Sequence, residues 1–206
     1  MSNTQPHRLS AYAVFAALLA SAGLPIYIHA PKYYVDEYGV SLAALGAVLF
    51  GLRLLDVVQD PLFGRLSEAM RSRRGLGVLI GCSVMAVSML GLFAVPPLLP
   101  PLIWFALMLT GVFSAFSFLT INFYAQGVVK ADRLPGNGHL SLARWRETGA
   151  LLGVCVAAIA PVMLGGIMGA PFAGFAVGFC VLALAAGVSM RGEWVTDGLP
   201  PSVGFR

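Results

Sequence analysis

Phe50-Gly51-Leu52-Arg53-Leu54-Leu55-Asp56-Val57-Val58-Gln59-Asp60-Pro61 sits inside a longer apolar run, Ser41 to Leu66. A helix crosses the ~30 Å hydrocarbon core of a bilayer in about 20 residues, so this run is long enough to span one. It also carries three charges that a lipid-facing helix does not tolerate. Arg53, Asp56 and Asp60 stand at i, i+3 and i+7, within roughly 60° of one another around a helix. Each costs at least about 2.5 kcal/mol when it faces lipid near mid-membrane. The segment therefore reads as a membrane helix whose charged face looks into protein or water.

Outward from this run lie five more of spanning length: Leu9 to Ala30, Gly75 to Val95, Leu102 to Val129, His139 to Gly166 and Pro171 to Met190. Composition agrees, since 58% hydrophobic and 11% charged residues in a chain of 206, with a mean hydropathy of +0.84, exclude an ordinary water-soluble domain. The runs are too long for the strands of a membrane barrel, which take about ten residues of alternating polarity. The expectation is an all-α integral membrane protein of six helices. Residues 1–8 form an N-terminal tail, 9–190 the bundle and 191–206 a C-terminal tail or inter-half linker. The first run is too long for a signal-peptide core and lacks a clean cleavage site, so it reads as a retained span.

Direction follows from the basic residues, which short loops retain on the cytoplasmic side. Arg8, then Arg65, Arg71, Arg73 and Arg74, then Lys130 and Arg133, then Arg191 and Arg206 fall in one set of connections, against Lys32 alone in the other. Both termini are thus expected in the cytoplasm, and the basic excess of +4 reads as topology, not nucleic-acid binding. A bacterial-type inner membrane is the expected location. Pro96 to Pro101 and Gly165 to Pro171 are short and uncharged, which makes consecutive helices antiparallel neighbours. Tyr33, Tyr34 and Tyr38 at one face, with Trp145 and Trp194 towards the other, suit interfacial belts. Cys82, Cys155 and Cys180 all lie in apolar runs and read as inert small hydrophobes.

Other polar residues inside the runs are candidates for a pathway. Arg144, Arg146 and Glu147 open the fifth run. Adjacent positions on a helix face different ways, so at least one of Arg146 and Glu147 points into the bundle. Gly23 and Pro25 should kink the first run, with Ser21, Tyr27 and His29 around the break; His29 is read as interfacial. The fourth run offers Ser114, Ser117, Thr120, Asn122, Tyr124 and Gln126, of which Asn122, Tyr124 and Gln126 are the better cavity candidates because Ser and Thr often bond their own helix. Gly149 and Gly153, Gly165 and Gly169, and Gly174 and Gly178 have the spacing of close helix contacts. No metal-ligand spacing, nucleophile elbow or phosphate loop appears, and His139 sits in a turn-like Gly136-Asn137-Gly138 stretch, so no enzyme is expected.

The run Arg53-Leu54-Leu55-Asp56-Val57-Val58-Gln59-Asp60-Pro61-Leu62-Phe63-Gly64-Arg65-Leu66-Ser67-Glu68, followed by Arg71, Arg73, Arg74 and Gly75, resembles the second helix and following loop of the glycoside-pentoside-hexuronide:cation symporters. These are the melibiose-permease-like branch of the major facilitator superfamily. Arg144-Trp145-Arg146-Glu147-Thr148-Gly149 resembles the start of that family's fifth helix. The resemblance implies one half of a major facilitator fold, a 3+3 repeat in which the second and fifth helices correspond. It implies that Asp56 and Asp60 bind the coupling ion, Na⁺ or H⁺, with Arg53 and, beside Glu147, Arg146 balancing buried charge. Tyr27, Thr120, Asn122, Tyr124 and Gln126 would line the solute pathway. Gly64, Glu68, Arg71, Arg73 and Arg74 would form a cytoplasmic gating loop. No cofactor beyond the coupling ion is implied.

Two departures from that pattern matter. The first and fourth runs contain no Asp or Glu, where sugar-carrying members have acidic residues, so a less polar or differently charged solute is as plausible as a galactoside. The family also has twelve spans, of which this chain matches the first six. The expected partners are therefore the bilayer, a small solute, and a second six-helix half or a second copy. The competing reading is a non-transporting membrane protein, a remnant or scaffold whose charges only pack helices.

Overall fold

The computed structural model describes residues 8–167 and 169–194; the tail assignments over 1–7 and 195–206 lie outside the described residues. The first span is built from two helices, α1 (Leu9–Ala22) and α2 (Leu24–Tyr38), and five more follow: α3 (Leu42–Ala69), α4 (Arg74–Phe93), α5 (Pro101–Asp132), α6 (Gly138–Gly165) and α7 (Pro171–Met190). No strand occurs among the described residues. All six spans are long and apolar enough to cross a bilayer.

Local sequence explains the ends. Prolines open α2, α5 and α7, where the missing N–H is one that a helix start leaves unpaired anyway. The Ser41 hydroxyl caps α3 by accepting from the Ala44 amide at 3.2 Å. Gly39 ends α2 at φ 64°, a left-handed conformation that a residue without Cβ adopts at little cost. Here one boundary differs from expectation. The first span runs on through Pro31 to Tyr38 instead of stopping at Ala30. Tyr34 is consequently not an interfacial anchor but fully buried, its ring 5.0 Å from Phe105.

Glycine sets the closest contact in the bundle. An ideal Cβ on Gly149 or Gly153 would collide with the backbones of Ala13 and Ala17 respectively, so α6 lies directly on α1. That register rises along both chains, making the two helices parallel, as two odd-numbered spans must be. The other glycine pairs behave differently, because Gly165, Gly169 and Gly178 have open space where a side chain would stand. The α4–α5 contact is closed by Gly81 against Leu119, by Gly111 against Ser88 and by the Trp104 indole donating to the Gly91 carbonyl at 2.7 Å. This register falls as it proceeds, so these consecutive spans are antiparallel.

Most of the packing is preserved when the first three spans are exchanged for the last three. The α1–α6 contact then maps onto α3–α5, the α1–α7 contact onto α4–α5, and α4–α7 onto itself. The exchange is not complete, because α6 also packs on α7 whereas α3 and α4 meet mainly through the turn between them. The second and fifth spans, α3 and α6, still occupy corresponding places, and the architecture is half of a major facilitator fold with a 3+3 repeat. Both corresponding helices are mostly uncovered, whereas α1 and α4 supply much of the core.

Candidate functional site

A cavity of about 460 Å³ opens where the α1–α2 break faces α3 and α5. The break has two causes. Pro25 cannot donate to the Ser21 carbonyl, and Gly23 takes up the distorted backbone at φ −84°, ψ −117°. The Ser21 hydroxyl holds the end of α1 in place, within bonding distance of the carbonyls of Ala17 (2.7 Å) and Gly153 (3.2 Å). Ala22, Gly23 and Tyr27 thus form one wall. Arg53, Asp56 and Asp60 form the second, and Phe113, Ser117 and Thr120 the third.

The three charges of α3 are brought to this one cavity, and each is held differently. Arg53 Nη1 donates to Asp56 Oδ2 at 3.2 Å. Its guanidinium also stands 4.8 Å from the centre of the Tyr27 ring, which stacks on Phe113 with 5.0 Å between ring centres. A cation over an aromatic face is attracted by the ring quadrupole. Asp60 has no basic partner within the cavity wall; its Oδ1 accepts from the Ser117 hydroxyl. One turn away Ser114 donates to Gln59 Oε1 at 2.6 Å. The stripe carries one positive and two negative formal charges, and Arg53 is committed to Asp56, so the uncompensated charge sits at Asp60. Two of the lining residues, Tyr27 and Thr120, have hydroxyl oxygens that are buried and make no hydrogen bond with the described residues.

Arg146 and Glu147 pair with each other at 3.1 Å, and the Arg146 guanidinium lies 4.4 Å from the centre of the Tyr124 ring. On α5, Ser117, Thr120 and Tyr124 are spaced i, i+3 and i+7 and share a face. One strip of α5 thus connects the Asp60 site to the Arg146 pair, with α3 and α6 on its flanks.

The remaining expected pathway residues are placed elsewhere. Asn122 is buried and accepts from the Ser67 hydroxyl at 2.9 Å, joining α5 to α3. Gln126 accepts from the buried Arg74 at 3.1 Å and donates to the Glu193 carbonyl at 2.6 Å. Neither lines the cavity. Of the residues expected in the gating loop, Gly64 and Glu68 lie on α3, which runs on to Ala69, and only Arg71 and Arg73 lie in the connection. Glu68 and Arg71 pair at 3.2 Å, Gly64 faces open space and Arg73 is exposed. Arg74 instead begins α4 inside the bundle end. His29 is not interfacial: it is buried, with Nε2 3.0 Å from the Ala157 carbonyl and its ring against Phe175. Ser114, Ser117 and Gln59 were visible as polar residues in apolar runs, but only the packing of α3 on α5 joins them to Asp60.

These features define a multi-pass integral membrane bundle with a charged, solute-sized cavity, the construction of a secondary transporter. The chain belongs to the MFS/sugar transport protein family, whose model matches residues 9–191. No curated protein and no solved structure matches it. As a member of that family it is a sugar-type transporter of the major facilitator superfamily.

Proposed function

We propose that the chain is a cation-coupled symporter half, in which Asp60 and Asp56 take up Na⁺ or H⁺ and the cavity beside them takes up a small, sugar-like solute. The carrying observation is the uncompensated carboxylate of Asp60 on the cavity wall, beside the oxygens of Ser117 and Gln59. Carboxylate, hydroxyl and amide oxygens suit a hard monovalent cation, and a proton neutralises the same charge. Binding the cation removes the cost of a net negative charge in a low-dielectric site. Solute and cation then stabilise one another, which is what coupling requires. Tyr27 and Thr120 line the cavity, and each buries a hydroxyl without a partner among the described residues, which a solute hydroxyl would satisfy once a small movement of the wall uncovers it.

The charged face also supports the need for a second bundle. Arg53 and Asp60 are exposed on α3, and Glu147 on α6, at depths where lipid contact costs at least about 2.5 kcal/mol per charge. A second six-helix unit, whether another chain or a second copy, would cover that face and create the opposing wall on which alternating access depends. The basic end of the bundle, with Arg71, Arg73, Lys130 and Arg191, is proposed to face the cytoplasm of a bacterial-type inner membrane.

The test is reconstitution in liposomes with an imposed Na⁺ or H⁺ gradient and a panel of radiolabelled pentosides and hexosides. A gradient-driven uptake that Asp60→Asn abolishes supports the reading. Uptake that is equal with and without either gradient sinks the coupling, and folded protein that moves none of the panel points to a missing second half or to the scaffold reading.

A further inference from the structure

A second cavity, slightly larger at about 480 Å³, lies on the opposite side of the bundle from the charged stripe, between α4 and α7. It is a cleft with two closed ends. At the inner end Cys180 Sγ is 3.6 Å from the Ala86 carbonyl, where the helices touch. At the basic end the chain returns after α7 so that Trp194 Cβ stands 3.6 Å from the place a Gly75 side chain would occupy. Between these points the floor is Val78, Cys82 and Ala183, all buried, and Leu79 and Leu184 stand as exposed walls. Small residues keep it open, Gly187 above all, which has nothing within 4 Å of its missing Cβ.

We propose that this cleft binds one anionic phospholipid, with an acyl chain between α4 and α7 and the phosphate on Arg191. Three observations carry this. The lining is almost wholly apolar, so it does not suit a sugar or an ion. From Gly75 to Ala86 the cleft runs eleven residues of helix, roughly 17 Å at 1.5 Å per residue, close to the ~15 Å hydrocarbon depth of a single leaflet. Arg191 lines its mouth, is exposed and has no ion-pair partner among the described residues. Trp194 beside it has the amphipathic ring favoured at headgroup level. A second copy of the chain packed here would bury an unpaired guanidinium at its edge, whereas a phosphate satisfies it. The lipid would brace α4 against α7, the two helices that exchange with each other in the repeat.

Delipidated protein in mild detergent is titrated with palmitoyl-oleoyl phosphatidylglycerol or the matching phosphatidylcholine, and adducts are counted by native mass spectrometry. The wild type is expected to keep one phosphatidylglycerol per chain in preference to phosphatidylcholine by about fivefold, the worth of one basic side chain at a membrane surface. Arg191→Gln, an exposed substitution, removes the preference and leaves phosphatidylcholine binding in place. Gly187→Leu fills the cleft and removes both adducts, whereas Gly178→Leu, the same bulk on an open face of α7, keeps them. Equal binding of the two lipids by wild type, or adducts unchanged in Arg191→Gln and Gly187→Leu, would overturn the proposal. So would a wild type that carries no lipid and forms a dimer which Gly187→Leu dissociates.

Discussion

His29 Nε2 lies 3.0 Å from the carbonyl oxygen of Ala157, the one backbone acceptor in α6 that Pro161 leaves open. Pro161 has no N–H to give four residues back, and in a membrane an unpaired carbonyl finds no water to take its place. The acceptor is a carbonyl, so Nε2 carries the proton and donates. The histidine is thus a strut from α2 to α6 that repairs a proline defect on another helix.

This makes the cost of losing the imidazole dependent on the proline. His29→Leu should lower unfolding free energy in detergent by about 1 to 2 kcal/mol, the range for a hydrogen bond between membrane helices. In a Pro161→Ala background, where the helix can satisfy Ala157 itself, the same change should cost less by most of that amount. A double-mutant cycle with no coupling between the two positions would refute the strut.

The α1–α6 contact predicts opposite outcomes at two glycines. A Cβ at Gly149 meets the Ala13 backbone, which has no rotamer by which to yield; Gly149→Ala should therefore destabilise by about 1 to 3 kcal/mol, as overpacked sites do. At Gly178 the space is open, and Gly178→Ala should be neutral or add about 0.5 to 1 kcal/mol by stiffening a helix interior. Thermal unfolding of the two variants, side by side, checks the sign.

At the basic end, Arg74 donates to Gln126, Gln126 donates to the Glu193 carbonyl, and the Glu193 carboxylate pairs with Lys130 at 2.6 Å. These bonds tie the turn after α7 to α4 and α5. Gln126→Leu leaves a buried guanidinium without its acceptor, and should cost on the order of 2 kcal/mol. It should also expose the segment around Trp194, whose ring packs edge-on against Phe15. Faster proteolysis or hydrogen exchange at residues 190–194, with the Asp60 site unaffected, is the expected signature; unchanged exchange there would show that the chain of bonds does not hold the turn.

The spans were legible because apolar length is a one-dimensional quantity, and eleven of the twelve span ends fall within three residues of those read from the sequence. The charged stripe of α3 and the Gly23–Pro25 break were legible for a similar reason: periodicity and a missing N–H are properties of one helix. Which neighbour a face meets is not such a property. Asn122 and Gln126 share a polar run with Thr120 and Tyr124, yet Asn122 turns to Ser67 and Gln126 to Arg74. Gly149 and Gly178 sit in motifs of identical spacing and differ only in what lies opposite. His29 reads as interfacial from its own run because its partner, the Ala157 carbonyl that Pro161 frees, lies more than a hundred residues away in sequence.

Tyr27 and Thr120 offer a separation of function from stability that the other cavity residues do not. Their hydroxyl oxygens are buried and unpaired among the described residues, so removing either takes away no hydrogen bond from the folded bundle. Tyr27→Phe keeps the ring that stacks on Phe113 and carries the Arg53 guanidinium above it. Thr120→Val keeps the branched shape. Both variants should unfold at the wild-type temperature or slightly above, since an unsatisfied buried oxygen is itself a cost. If the cavity takes a solute with hydroxyl groups, each variant should weaken its half-saturation concentration by about five- to tenfold, the equivalent of about 1 to 1.4 kcal/mol for one hydrogen bond. The maximal rate should stay close to wild type, because the coupling carboxylates are untouched. Cation dependence of uptake should likewise be unchanged, which distinguishes these variants from Asp60→Asn. A loss of stability equal to the loss of affinity would mean that the two oxygens belong to the packing of the bundle and not to the solute.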